Sequence, residues 1–137
     1  MGETTTYSDK TFNVNIYTPE KQFDSGMYTS FLCHAIDGEI CILKDHMPMI
    51  VAVDIGAIIL TDDKGEKHTA VCGSGFAVIK DNVLNAFVET CNWKNSLQEA
   101  EDEAQLLREK EQESIKDLRR IKIELIRAME EPKKKNN

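Results

Sequence analysis

Ala57-Ile58-Ile59-Leu60-Thr61-Asp62-Asp63-Lys64-Gly65-Glu66-Lys67-His68-Thr69-Ala70-Val71-Cys72 reads as two apolar strands around a polar turn. The turn chemistry sits in Asp62-Asp63-Lys64-Gly65, where glycine accepts the positive φ of a tight connection and the solvated carboxylates help to form the bend. The same grammar recurs downstream, where Phe76 to Ile79 and Val83 to Val88 flank Lys80-Asp81-Asn82. Upstream, Phe12, Val14 and Ile16 alternate with Asn13, Asn15 and Tyr17, a period of two that turns one side of a strand to a core, and Thr18-Pro19-Glu20 ends it. Short strands at close spacing, with no helical pattern between them, predict an antiparallel sandwich or flattened barrel over residues 10–91.

Beyond Trp93 the composition changes. From Ser96 to Glu131 there is neither Gly nor Pro, and charged residues are dense, which predicts helix over 95–131. Ser96 and Glu99 have the spacing of a capping box, Ser114 and Asp117 repeat it more weakly, and Pro132 supplies a stop. Leu97, Ala100, Ala104 and Leu107 make one narrow apolar stripe, and Ile115, Leu118, Ile121, Leu125 and Ala128 make another. The expectation is an α-helical hairpin. The join from Glu109 to Glu113 contains no residue that forces a turn, however, so one long helix is also locally allowed.

Function classes narrow on composition. A formal net charge of -7 argues against nucleic acid as a partner, because phosphate contacts draw on an excess of Lys and Arg. No run approaches the roughly 18 apolar residues that span a bilayer, and the start of the chain lacks a signal-peptide pattern. Gly2 and Thr6 fit a myristoylation pattern only formally. Cys33, Cys41, Cys72 and Cys91 form no Cys-x-x-Cys pair and read as buried free thiols of a reducing compartment. His34, His46 and His68 are scattered, and neither a nucleophile motif, a Walker sequence nor a metal-ligand spacing appears, so no catalytic residue, metal or cofactor is expected. Gly73-Ser74-Gly75 precedes a strand rather than a helix, which makes it a turn or bulge and not a phosphate loop.

Gly38-Glu39-Ile40-Cys41-Ile42-Leu43-Lys44-Asp45-His46-Met47-Pro48-Met49-Ile50, followed by Gly56, resembles the signature of the epsilon subunits of F-type ATP synthases, in which Gly-x-Leu-Pro-Gly-His-x-Pro is the centre. Val14 to Glu20, Ser74 to Ile79 and Arg127-Ala128-Met129 are similar to further segments of that family. Cys41, Lys44-Asp45 and Ser74 depart from it. The resemblance implies a β-sandwich of about ten antiparallel strands followed by a helical hairpin, and a non-catalytic central-stalk subunit that couples ion translocation to ATP synthesis. It implies three partners: the gamma subunit for the β-domain, the c-ring for the loop with Asp37, Gly38 and Glu39, and the beta subunit for Arg119, Arg120, Lys122 and Arg127, through which the helices restrain ATP hydrolysis. His46 and Pro48 are implied as a structural loop motif shaping the same end as Asp37. The implied location is peripheral, on the cytoplasmic face of a bacterial cell membrane. A β-sandwich binding module with oligomerising helices is the alternative.

Some bacterial members bind ATP through an Ile/Leu-Asp-x-x-Arg-Ala motif at the start of the first helix. The matching stretch, Asn95 to Ala100, lacks both the Asp and the Arg and carries Glu99 where Arg would meet phosphate. Calorimetric titration is expected to show no ATP binding in the micromolar range; a micromolar affinity would refute this reading.

Overall fold

The computed structural model describes residues 10–130, so the Gly2–Thr6 pattern and the Pro132 stop lie outside the described residues. Ten strands precede one helix: β1 (Phe12–Tyr17), β2 (Gln22–Tyr28), β3 (Ser30–Ala35), β4 (Gly38–Leu43), β5 (Met49–Val53), β6 (Gly56–Thr61), β7 (Lys67–Cys72), β8 (Gly75–Lys80), β9 (Val83–Val88), β10 (Cys91–Lys94) and α1 (Leu97–Glu130). Hydrogen bonding runs in the order β10-β7-β6-β3-β5-β8-β9-β1-β2, with β4 added to β3. Both hairpins read from the turns are present, as β6–β7 and β8–β9.

The pairing is antiparallel with one exception: β1 lies parallel to β9, with Asn15 opposite Asn85. A polar network occupies this junction. The Asn15 amide donates to Asn13 Oδ1 at 2.8 Å and to Asn85 Oδ1 at 3.0 Å, while its own oxygen accepts from the Ser25 hydroxyl at 2.6 Å. Asn15 is the one buried polar side chain among the described residues, and these bonds satisfy it. They tie β1 to both of its neighbours, since Ser25 belongs to β2 and Asn85 to β9.

The core is the sum of the inward-facing positions. Phe12, Val14 and Ile16 of β1 join Leu84, Ala86 and Val88 of β9 and Ala77 and Ile79 of β8; they meet Phe31, Cys33, Ile42, Ile58, Leu60, Ala70 and Cys72 from the other strands. Cys33, Cys72 and Cys91 are buried free thiols, as the sequence predicts, whereas Cys41 on the edge strand β4 is exposed. Burial pushes the Cys33 and Cys91 thiols up to about 12 and raises Cys72 as well, so all three stay protonated and unreactive.

The expected helical hairpin is replaced by a single helix of 34 residues. No Gly, Pro or positive-φ residue interrupts Glu109 to Glu113, and Ser114, read as a second start, lies inside the helix, where continuing the backbone ladder costs nothing extra. The N-terminus forms as the capping spacing predicts, with one difference. The Ser96 hydroxyl accepts from the Glu99 N–H at 3.2 Å, but the Glu99 carboxylate reaches the N–H of Asn95 rather than that of Ser96. Ala100 and Ala104 are buried in the compact unit that contains the strands and runs to Gln105, and Glu103 pairs with Lys94 of β10. The small stripe therefore serves contact with the β-domain, not with a second helix. Residues from Leu106 onward form a second unit.

Gly75 is the tightest backbone contact in the β8–β9 ladder. A Cβ there would lie 1.9 Å from the Phe87 carbonyl oxygen and 2.8 Å from Val88 Cα. Backbone cannot yield as a flexible side chain does, so Gly75→Ala is expected to cost about 3 kcal/mol and lower Tm by 10 °C or more; an unchanged thermal transition would show that the strands separate at no cost.

Candidate protein-docking surfaces

The β3–β4 turn carries Asp37, Gly38 and Glu39, all exposed, with Gly38 at φ 129°, a value that only glycine adopts freely. Ile36 beside them is 76% exposed and Ile50 of β5 is 72% exposed. These residues border a shallow depression of about 580 Å³ between the turn and β5. An apolar pair framed by two carboxylates disfavours a small anion.

His46 and Pro48 lie in the β4–β5 connection. The six residues of β4 separate this loop from the β3–β4 turn by about 20 Å. The two segments thus occupy opposite ends of the strand, and the expectation that they shape one end does not hold. What shapes the loop is a reciprocal clasp to the β8–β9 hairpin. The Asp45 N–H donates to Asn82 Oδ1 at 2.6 Å, and Asn82 Nδ2 donates back to Asp45 Oδ1 at 3.0 Å. Asp45 has φ 67° and Asn82 φ 62°. Asp45 therefore takes up the left-handed conformation at a place where the resembled signature has glycine, and the side-chain bonds offset the strain. His46 Nδ1 lies 2.8 Å from the Met47 carbonyl, consistent with an N–H donated within the loop. Gly56 fits because a Cβ would come within 2.4 Å of the His34 ring.

Arg119, Arg120, Lys122 and Arg127 are all exposed on α1. At about 100° per residue they do not form one face. Lys116, Arg119, Arg120 and Arg127 share an arc, with Arg120 3.8 Å from Asp117, whereas Lys122 projects among Ile115, Leu118, Leu125 and Met129. That apolar set is exposed from 44% at Ile115 to 77% at Met129.

Two features escaped the sequence reading. On the outer side of β8, β9 and β1, Phe76, Phe87 and Tyr17 form a ladder with ring centroids 5.2 Å apart at each step. Phe76 and Phe87 are nearly half exposed, and Met27 is 54% exposed. Each looks like an isolated aromatic until Phe76 pairs with Phe87 and Phe87 with Tyr17 across the strands. The second is the meeting of His68 with Asp62 and Glu66 at the β6–β7 turn; the signal was the Asp-x-x-x-Glu-x-His spacing across a hairpin tip, which reads as turn chemistry when taken alone.

Comparison with known proteins supplies the family. Residues 11–94 match the family model for the ATP synthase delta/epsilon chain β-sandwich domain. The chain is 39% identical over 72 residues to the ATP synthase epsilon chain of Chlorobium limicola, covering 52% of this chain and 82% of that one. It is 28% identical over 126 residues to the epsilon chain of Natranaerobius thermophilus, covering 88% and 89%. A chain in the Euglena gracilis mitochondrial ATP synthase structure of OSCP, F1 and c-ring superposes with a TM-score of 0.58 at 15% identity, over 61% of this chain and 53% of that one, a likeness of fold. With the β-sandwich domain matched from end to end, the chain belongs to the epsilon-subunit family of F-type ATP synthases, non-catalytic components of the central stalk.

Proposed function

We propose that the chain couples ion translocation to ATP synthesis as a rotor subunit, with its β-domain seated on the gamma subunit and the c-ring and its helix restraining ATP hydrolysis. The observation that carries this reading is the combination of a family β-sandwich with a helix whose apolar stripe is exposed from Ile115 onward. The similarity to the Natranaerobius chain spans 126 residues, too many for the β-domain alone, so the helix belongs to the likeness as well.

Each surface has a task in this assignment. The aromatic ladder of Tyr17, Phe76 and Phe87 offers the kind of central apolar anchor that protein interfaces use, and it is assigned to gamma. The turn with Asp37, Gly38 and Glu39 is assigned to the polar loops of the c-ring. The arc of Arg119, Arg120 and Arg127 is assigned to the acidic C-terminal region of a beta subunit, and the neighbouring apolar stripe, with Lys122 in it, to gamma. The corresponding place is peripheral, on the cytoplasmic face of a bacterial membrane; no helix among the described residues is long and apolar enough to cross one. The uncovered stripe also suits an oligomerising binding module, which would give a stable homo-oligomer of the isolated chain.

Stoichiometric co-elution with an alpha-beta-gamma head that lacks its own epsilon subunit tests the assignment. Phe87→Asp is expected to weaken that binding by about 2 kcal/mol or more, roughly thirtyfold, because a buried aromatic anchor is replaced by a charge. Failure of the folded wild-type chain to co-elute, together with self-association, would favour the oligomeric module.

Charge reversal separates the helix faces. Arg119→Glu, Arg120→Glu and Arg127→Glu combined are expected to raise ATP hydrolysis of the assembled head by roughly ten- to a hundredfold, from three charge contacts of about 0.5–1 kcal/mol each, without loss of gamma binding. Hydrolysis that stays at the wild-type level would remove the basic arc from the account.

A further inference from the structure

The β6–β7 turn holds Asp62 in one orientation. Its Oδ1 accepts the N–H of Lys64 at 2.8 Å and of Glu66 at 2.9 Å, and the backbone closes around it through Gly65 N to Asp62 O at 3.0 Å and Asp62 N to Glu66 O at 2.9 Å. The second oxygen, Oδ2, is left to face the imidazole of His68, with Nε2 at 2.9 Å. The imidazole is steadied from elsewhere, by edge contacts to Tyr28 and Trp93 with centroids 6.3 Å away in both cases. Strands β2, β7 and β10 thus fix the ring while the turn fixes the carboxylate. Glu66 completes the group: one ligand atom from each of Asp62, Glu66 and His68 lies within 4.8 Å of the other two.

We infer that Asp62, Glu66 and His68 form a divalent-cation site of the borderline type, with zinc as its preferred occupant. The donor set decides the class. One imidazole nitrogen with two carboxylates suits zinc and similar ions, whereas calcium and magnesium call for oxygen donors alone. The spacing suits it as well. Around a tetrahedral zinc, ligand atoms stand about 3.4 Å apart, so the Asp62–His68 pair opens by roughly 0.5 Å and the Glu66 carboxylate swings inward. Charge favours the same outcome. The N–H groups of Lys64 and Glu66 hold Asp62 Oδ1, which leaves Oδ2 for the cation, and zinc takes the place of the proton that Oδ2 shares with His68 Nε2. A dication neutralises two neighbouring carboxylates that the imidazole alone leaves in excess. Water completes the coordination, and the exposure of Glu66 with the partial exposure of Asp62 and His68 sets the affinity in the range of about 1–100 µM rather than nanomolar.

Trp93 is the single tryptophan of the chain and stands against His68, so it reports directly on the site. The test is a titration of the full chain with zinc alone, followed by Trp93 fluorescence and by calorimetry, in a Cys41→Ser background that removes the exposed thiol. One zinc per chain is expected, with a fluorescence change that saturates and a Tm rise of roughly 5 °C at tenfold excess over the dissociation constant. His68→Ala is expected to abolish binding, and Glu66→Gln to weaken it about tenfold or more. Glu66→Gln is the safeguard, because the turn is closed by the Glu66 backbone N–H and C=O, which the substitution leaves in place. Absence of binding up to about 1 mM zinc, or one-to-one binding that both substitutions leave unchanged, overturns the proposal.

Discussion

Phe12, Val14 and Ile16 of β1 are buried against the chain's own middle, and the rest of the fold depends on that burial. These three residues enter the same apolar layer as Leu84, Ala86 and Val88 of β9, from a strand about seventy positions away in the chain. Fully burying side chains of this size contributes about 1.5–3 kcal/mol each, so the strand is a principal member of the core. Its parallel docking sets β2 at one end of the hydrogen-bonding order and presents Tyr17 beside Phe87. The aromatic surface assigned to gamma therefore exists only because the inward side of the same strand is buried.

Asn15 shows how polarity specifies what burial alone leaves open. Apolar alternation decides which side of β1 faces the core, but a shift by two residues would preserve that pattern. The amide network to Asn13, Ser25 and Asn85 is satisfied in one register only. The Asp45–Asn82 clasp acts likewise at the end of the sandwich, joining two connections that are distant in sequence. In both places the side chains choose among packings that the hydrophobic effect ranks equally.

Much of the β-domain was legible from the residues. Alternation at Phe12 to Tyr17 and turn chemistry at Asp62 to Gly65 and at Lys80 to Asn82 act locally, and local rules transfer directly to structure. The parallel β1–β9 pair was not legible, because nothing in either strand encodes its partner. The helical hairpin failed for a related reason. Ser114 and Asp117 have the form of a cap, but a cap forms only where a helix has already stopped, and Glu109 to Glu113 give it no reason to stop. The candidate surface residues divide in the same way. Asp37, Gly38 and Glu39 came from the family resemblance and not from turn chemistry, while the ladder of Tyr17, Phe76 and Phe87 appears only when three strands are laid side by side.

No described residue of α1 after Ala104 is buried. From Glu109 to Glu130 every residue is exposed, and a helix of some 20 residues with so little burial has a balance near zero in water. Warming and dilution of salt then act on this segment before they touch the sandwich, and proteases that cut after Lys or Arg meet it while the strands remain closed. A partner that covers the apolar stripe supplies the missing free energy, so the segment's helix content becomes a measure of occupancy. The same polypeptide thereby joins a rigid body to a part whose order is borrowed from its neighbours.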